Sequence, residues 1–464
     1  MKQLILISFS VLAAVLGTVV ITYANHDSED LAKDATSQDN ATAQKARETL
    51  RDMGPQGLAI LQARYANEIR DHRSGAFTGE QWPRISAALD RVGGQYDNYA
   101  SGLYWYTDLD QAKAAARASG KPILSLRLLG RLDENLSCAN SRFFRTTLYP
   151  SAQINQLLKE RFILHWESVR PAPRVTIDFG DGRKLERTIT GNSIHYILDE
   201  HGNIIDALPG LYAAQTFSAE LRQAADAFRP DKTAGYYAHL SATQTRLLRA
   251  WQKDLATIDR DHVNSLANKT LTREELESAM DDRKWEDLAM LHVNEVEFDG
   301  NVRGVIATKF PGADVAATLA MSKSLVEKPM LDSFKDVTQP IPADIAAPLA
   351  MSKMAVERPM VNSFKDISQP VAPVAMRAAA VERPFETPYP KLTNNVAIDT
   401  VRNNYLMRTK ILAMLLNRDA QPWTLAQFND WVYAKVFLTP RQDPWLGLAP
   451  PDVYAALDNN GEIR

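Results

Sequence analysis

The feature of this sequence that most constrains its fold is a proline-rich stretch between residues 311 and 390. That stretch contains 11 of the 24 prolines in the chain, together with one glycine and no tryptophan. Proline lacks a backbone N–H and fixes φ, so it interrupts helices and central β-strands. The 464-residue chain is therefore expected to fold as separate parts on either side of this stretch.

The same stretch contains an internal repeat. Leu319–Ile341 and Leu349–Val371 are identical at 15 of 23 positions with an offset of 30 residues, and a shorter third copy follows at Val374–Arg377 and Val381–Phe385. Such a period can indicate a solenoid, but a solenoid needs at least three repeats that bury a shared core. The prolines favour a duplicated linker over residues 301–390, with short recognition peptides or a solenoid as the alternatives.

The composition is that of a globular protein without a nucleic-acid partner. Hydrophobic residues make up 45% of the chain and charged residues 23%, which are ordinary values for a folded protein. The net charge is −3, and no run of lysine and arginine supplies the basic surface that nucleic acids require. The sequence therefore predicts no binding of nucleic acid.

The N-terminus has the pattern of a secretory signal. Met1 and Lys2 precede an apolar stretch, Leu4–Ile21, which is followed by small residues up to Ala24 and then by a polar, acidic run. This order predicts a signal peptide over residues 1–24. The alternative is an uncleaved membrane anchor, because the stretch reaches the roughly 18 residues at which a span becomes possible. Both interpretations predict an exported protein, periplasmic or extracellular, with membrane contact only if the segment is uncleaved.

Hydrophobic periodicity divides the rest of the chain. Apolar residues at helical spacing predict a helical N-terminal region over 25–100, a helical extension over 230–300 and a helical C-terminal cap over 391–464. The extension includes a capping pattern at Thr272–Glu275. Residues 101–229 instead indicate, in order, a helix, a strand, a loop with a cysteine, helices, a strand, two β-hairpins and a final helix. This mixture predicts an α/β domain.

This α/β region resembles the thioredoxin superfamily. The resemblance is carried by Gly120–Leu124 before the first strand, by the Cys-Ala-Asn-Ser sequence of Cys138–Ser141, and by Ser193–Asn203 in the last strands. It implies a thioredoxin-like domain over 101–229, with helical regions on both sides. It also implies that Cys138 lies at the N-terminus of a helix, where the helix dipole stabilises a thiolate.

The resemblance assigns candidate roles to further residues. Cys138 is the candidate nucleophile, and Ser141 stands where the family has its second cysteine. Arg142 and Arg145 would add positive potential near the thiol, whereas Asp133 and Glu134 would oppose it. The cis-proline that shapes the family's substrate groove is absent, and Asn192 or Ser193 stands nearest its position. Each departure weakens the expectation of redox activity.

Two functions follow from this site. Cys138 is the only cysteine, so no dithiol cycle is possible, but a single thiol can exchange with a client thiol or capture it. The alternative is a non-catalytic binding or scaffold module. In both, the partner is another exported protein or a thiol client. Exposure of the sulfur distinguishes them, because buried free cysteines are commonly inert.

Other chemistries have little support in the sequence. His165 and His195 fall in predicted strands, and either could serve Cys138 as a base in a Cys-His hydrolase. Strand histidines are more often core or surface residues, so this interpretation is disfavoured. No phosphate loop, zinc-binding His-Glu-x-x-His or Gly-x-Ser-x-Gly motif occurs. We therefore expect no cofactor and no metal.

Overall fold

A computed structural model describes residues 27–76, 79–178, 180–188, 192–230, 234–259, 270–309, 390–417 and 423–442. The predicted signal peptide, the repeats between 319 and 385, and the end of the predicted cap from residue 443 lie outside the described residues. The chain separates into two compact units, one up to Trp105 and the other from Tyr106.

The first unit is helical in its described residues. Its helices run over residues 27–34 (α1), Asn40–Asp52 (α2), Pro55–Arg64 (α3), Ala66–Arg73 (α4), Trp82–Gly93 (α5) and Asn98–Ser101 (α6). Leucine side chains at helical spacing form its core, among them Leu50, Leu61 and Leu89. Helices α2 and α3 approach closely at Gly57, where a Cβ would come within 1.8 Å of the carbonyl oxygen of Leu50. Only glycine fits there.

A small mixed sheet forms the centre of the second unit. The strands are Ile123–Leu129 (β1), Ile163–Arg170 (β2), Arg174–Asp178 (β3), Lys184–Thr188 (β4), Ser193–Leu198 (β5) and Ile204–Pro209 (β6). Four of them form one sheet in the order β2-β1-β5-β6, with β2 parallel to β1 and β5 antiparallel to both β1 and β6. β3 and β4 form a separate antiparallel hairpin. Every residue of β1, β5 and β6 is buried, as their nearly continuous apolar sequences require.

Helices pack around this sheet. They are Leu109–Ser119 (α7), Ala139–Phe143 (α8), Ala152–Arg161 (α9) and Ala214–Ala227 (α10), and α8 continues as a π-helical turn, Phe144–Leu148. Local sequence signals set the ends of α7: the Asp108 carboxylate accepts a hydrogen bond from the Gln111 N–H at 2.8 Å, and Gly120 ends the helix with φ of 65°. The crossover from β1 to the parallel strand β2 thus passes through α8 and α9.

The remaining helices belong to the same unit. They are Ala234–Ile258 (α11), Arg273–Ser278 (α12), Asp282–His292 (α13), Gly300–Lys309 (α14), Pro390–Arg402 (α15), Thr409–Leu416 (α16) and Leu425–Lys435 (α17), and a π-helical turn, Asn403–Arg408, joins α15 to α16.

Helices that follow residue 390 pack directly on the α/β core. The Asn403 amide donates to the carbonyl oxygen of Leu211 at 2.6 Å, and the Thr400 hydroxyl accepts from the N–H of Ala213 at 2.7 Å. Gly210 makes this approach possible, because a Cβ there would lie 2.5 Å from the Asn403 side chain. At this coarse level the predicted α/β fold with helical flanks is confirmed. No helix in the described ranges is both long and apolar enough to cross a membrane.

Candidate functional site

Cys138 lies at the start of α8, directly after the loop that follows β1. Its backbone is extended, with φ of −60° and ψ of 159°, and it forms the N-cap of the helix. The loop turns sharply at Gly130, where φ is 74° and a Cβ would lie only 3.2 Å from the Cα of Ser137. The strand and this turn together place the cysteine at the end of the central strand.

The side chain of Cys138 is completely buried, with 0% of its surface exposed. Two tyrosines lie close to it from different parts of the chain. Burial raises the pKa of both Tyr149 and Tyr433 well above the usual value for a phenol, and the charge that Cys138 would carry raises it further. Tyr149 follows the π-helical turn after α8, and Tyr433 lies on α17. The helix α17 therefore takes part in burying the thiol.

Ser141 bonds to the backbone and side chains of the cysteine loop. Its hydroxyl donates to the carbonyl oxygen of Cys138 at 2.9 Å and is also hydrogen-bonded to the hydroxyl of Ser137. Both serines are fully buried. In this arrangement Ser141 fixes the first turn of α8.

Arg142 and Arg145 hold the loop that precedes Cys138. Arg145 is buried and donates to the carbonyl oxygen of Glu134 at 2.6 Å and to the Ser137 hydroxyl at 2.9 Å. Arg142 donates to the carbonyl oxygen of Ser137 and, at 2.6 Å, to the Thr188 hydroxyl in β4. Both predicted thiolate-stabilising cations thus anchor the loop, a role that the sequence did not suggest.

The two acids predicted to oppose them are paired within the loop. Arg131 lies 2.7 Å from the Asp133 carboxylate and 3.3 Å from that of Glu134. These three side chains are about half exposed or less, and their charges partly cancel. Arg131 was not singled out by the sequence pattern.

Asn192 and Ser193, at the predicted substrate groove, are both buried. The side-chain amide of Asn192 donates to the Thr439 hydroxyl at 2.9 Å, and the backbone carbonyl oxygen of Asn192 accepts from the Tyr433 hydroxyl at 3.2 Å. Ser193 accepts from the Asn140 amide at 2.7 Å. This position is therefore occupied by the chain's own C-terminal segment and by α8.

A further contact fixes that segment to the sheet. The Arg170 guanidinium at the end of β2 donates to the carbonyl oxygens of Thr439 at 2.8 Å and of Pro440 at 3.3 Å. Residues 433–440 thus run from α17 across Asn192 to the end of β2. We call residues 433–440 the C-terminal cover.

The two strand histidines are hydrogen-bonded core residues. His165 Nδ1 lies 2.9 Å from the Ser125 hydroxyl, and His195 Nε2 lies 2.8 Å from the Tyr149 hydroxyl. Burial lowers the pKa of each imidazole to about 3. Each ring is hydrogen-bonded to a hydroxyl, and an imidazole of such low pKa is too weak a base to take a proton from a thiol at neutral pH. These two properties do not favour a Cys-His hydrolase.

A buried charge cluster includes Asp206 of the edge strand, β6. The Arg408 guanidinium lies 2.8 Å from both the Asp206 and the Glu220 carboxylates, and all three side chains are buried. His239 pairs with Asp206 at 2.8 Å, and Arg246 pairs with Glu220 at 2.6 Å. We call these five residues the Arg408 cluster.

Electrostatics within the Arg408 cluster favour ionised carboxylates. Burial alone would raise the pKa of Asp206 and Glu220, but Arg408 outweighs it and, together with the His239 hydrogen bond to Asp206 and with Arg246 beside Glu220, lowers both values. Burial likewise disfavours a charged Arg408, yet the two carboxylates raise its pKa. The cluster ties α10, α11 and the turn before α16 to β6.

A second charged network joins α11, α13 and the π-helical turn Asn403–Arg408. His292 lies 2.8 Å from the Asp254 carboxylate and 2.6 Å from that of Glu295, and Tyr405 donates to Asp254 at 2.6 Å. Hydrogen bonds to the two carboxylates raise the pKa of His292 to about 9. This imidazole is therefore a fixed cation at neutral pH and a poor proton shuttle.

No group of three or more His, Cys, Asp or Glu side chains within the described ranges is arranged to hold a metal ion.

Comparison of the chain with protein-family models, with curated proteins and with solved structures finds no match in any of the three.

Proposed function

We propose that this chain is an exported thioredoxin-like module that acts by binding another exported protein and not by thiol exchange. The observation that carries the proposal is the complete burial of Cys138. Thiol–disulfide exchange requires the sulfur to reach a disulfide of the partner, so the rate depends on access as well as on acidity.

The arrangement of elements supports the thioredoxin-like part of the proposal. A parallel β1–β2 pair joined through α8 and α9 is followed by the antiparallel pair β5–β6 and by α10. Cys138 begins the helix after β1, where the resemblance implies the reactive thiol. Export is supported by the apolar segment and small residues of 1–24.

The contacts around Cys138 support a structural role for this loop. Ser141 stands in place of a resolving cysteine and bonds to the backbone, and Arg145 is bonded to the loop. Asn192 is bonded to the C-terminal cover. A client peptide could reach the groove only after that cover had moved.

Monothiol capture after release of the cover is the second candidate function. It is favoured by one observation: the cover comes from a segment more than 200 residues away in sequence, and polar contacts at Asn192 and Arg170 hold its end. A partner that competed for those contacts would uncover the thiol.

A disulfide-exchange assay separates the two functions. We expect wild-type protein to reduce a fluorogenic mixed disulfide of glutathione no faster than a Cys138→Ser variant, with glutathione as the external reductant. The small molecule needs no protein groove, so the assay reports access to the sulfur itself. Turnover that depends on Cys138 would contradict the binding-module proposal and favour monothiol exchange.

A further inference from the structure

Two donors hold the C-terminal cover, and they bind it as a protein binds a peptide. The Arg170 guanidinium donates to the backbone carbonyl oxygens of Thr439 and Pro440, and the side-chain amide of Asn192 donates to the Thr439 hydroxyl. The first contacts recognise main chain, and the second recognises a hydroxyl side chain. Peptide-binding sites combine the same two kinds of contact, the main chain for affinity and side chains for specificity.

The cover is enclosed where these contacts form. Thr439 is 8% exposed and Asn192 is 2% exposed. Phe437 is 6% exposed, and its ring lies edge-on to that of Tyr433 with 5.1 Å between the centroids. Because a buried donor needs an acceptor, the place that residues 437–440 fill favours occupation, either by the cover or by another peptide.

Backbone strain within the cover opposes this closed arrangement. Leu438 has a φ of 56°, in the left-handed region where glycine is usual at the end of a helix. Its side chain is 74% exposed, so burial of the leucine does not offset the strain. The contacts on either side of Leu438 hold this conformation, and release of the cover would relieve it.

We propose that the C-terminal cover is an internal ligand of a peptide site, and that the partner protein inserts a segment of the same chemistry in its place. That segment has an aromatic residue and, two positions later, a threonine or serine followed by proline, in the order of Phe437, Thr439 and Pro440. Its hydroxyl accepts from Asn192, and its main-chain carbonyl oxygens accept from Arg170. This inference rests on the proposed binding function and names the chemistry of the partner.

Tethering of the cover weakens the binding of an isolated peptide to the wild-type protein. The cover continues directly from α17, so its effective concentration at the site is high. The apparent affinity for a free peptide is lowered by the fraction of molecules in which the cover is closed. A variant that loosens the cover should therefore bind a peptide more tightly than the wild type.

The test measures peptide binding by fluorescence anisotropy with the full-length chain. The probe is a labelled, end-blocked peptide with the sequence of residues 435–442, and its counterpart has valine in place of threonine. We expect saturable binding of the probe to a Thr439→Val variant of the protein. The counterpart should bind about tenfold more weakly, because it lacks the acceptor for Asn192.

Thr439→Val loosens the cover and leaves the site intact, because valine has the shape of threonine but no hydroxyl to accept from Asn192. We expect this variant to bind the probe about tenfold more tightly than the wild type. Hydrogen exchange of residues 433–440 should also be faster in the variant. Equal or weaker binding by Thr439→Val would overturn the proposal.

Arg170→Gln is the matched variant that loosens the cover and also damages the site. It removes the donor to the carbonyl oxygens of Thr439 and Pro440. Exchange of residues 433–440 should again be faster, but the probe should bind at least about tenfold more weakly than to Thr439→Val. If the two variants bound the probe equally well, Arg170 would not belong to the site and the proposal would fail.

Leu438→Gly acts in the opposite direction. Glycine adopts a φ of 56° without strain, so it stabilises the closed cover. Added to Thr439→Val, it is expected to slow the exchange of residues 433–440 and to weaken binding of the probe by about threefold. Tighter binding after this change would contradict the internal-ligand proposal.

Failure of this inference can be distinguished from failure of the proposed function. If the probe binds none of these variants, the internal-ligand proposal is wrong, and the binding-module proposal still depends on the disulfide-exchange assay. Turnover at Cys138 in that assay would overturn the binding-module proposal, whatever the result with the peptide.

Discussion

Replacing Arg408 by methionine is expected to lower the free energy of unfolding by about 3–5 kcal/mol. The substitution keeps a long apolar side chain but removes the cation shared by Asp206 and Glu220, each 2.8 Å away. Two carboxylates would then remain buried, with His239 hydrogen-bonded to Asp206 and Arg246 paired with Glu220. Chemical denaturation monitored by tryptophan fluorescence measures the change.

The pH dependence of this variant identifies the cause. In the wild type the pKa of both carboxyls is lowered, so their stabilising effect is present above the unfolded value of about 4 and is lost as the pH falls below it. In the variant the uncompensated burial raises those pKa values. Protonation then relieves the cost, and the difference from wild type should shrink as the pH falls from neutral towards 4.

Arg246→Met is the matched control. Arg246 is 41% exposed at the surface and pairs with the Glu220 carboxylate, so its loss should cost about 1 kcal/mol or less. If Arg408→Met cost no more than this control, the Arg408 cluster would not be the buried network described above.

Replacing Tyr433 by alanine is expected to expose Cys138. Tyr433 is buried beside the thiol, and its hydroxyl donates to Asn192. Truncation of a buried aromatic side chain costs about 3–5 kcal/mol and leaves a cavity. Because the ring is part of the packing beside the sulfur, we expect the alkylation rate of Cys138 by iodoacetamide to rise by about tenfold or more, as followed by mass spectrometry.

Two controls separate local uncovering from general loss of stability. Tyr433→Phe removes the hydroxyl but keeps the ring, so the thiol should stay covered. Leu288→Ala truncates a fully buried side chain on α13 in the same unit, at a cost of about 2–5 kcal/mol. An equal rise in alkylation with Leu288→Ala would show that Tyr433 has no particular role as a cover.

Local features of the fold could be predicted from the sequence because short-range patterns determine them. The pattern of residues 101–229 predicted a strand after their first helix, and β1 spans Ile123–Leu129. The capping pattern at Thr272–Glu275 forms a capping box, with the Glu275 N–H donating to the Thr272 hydroxyl at 3.2 Å. Each of these signals depends on residues within one turn or one strand.

The cover over Cys138 could not be predicted in the same way. Tyr433 and Thr439 meet Asn192 across more than 240 positions of sequence, and helical periodicity states which face of α17 is apolar but not what it covers. The same limit applies to Arg408, whose carboxylate partner Asp206 lies 202 positions earlier. In the sequence alone, an arginine that becomes buried cannot be distinguished from one that stays at the surface.

The roles of the candidate residues depend on packing, which the sequence does not reveal. Cys138 begins a helix, as the resemblance implied, yet spacing alone could not reveal that its sulfur is buried. Arg142 and Arg145 lie next to it and hold the loop.

The rate of alkylation of Cys138 in the native protein, compared with the rate in denaturant, tests directly whether the native fold covers the thiol. Since the sulfur is fully buried, we expect iodoacetamide to modify the native thiol at least about 100-fold more slowly than the unfolded one. A native rate equal to or above the unfolded rate, with a pH midpoint well below the roughly 8.5 of a free thiol, would contradict the binding-module proposal. Cys138 would then be a reactive monothiol.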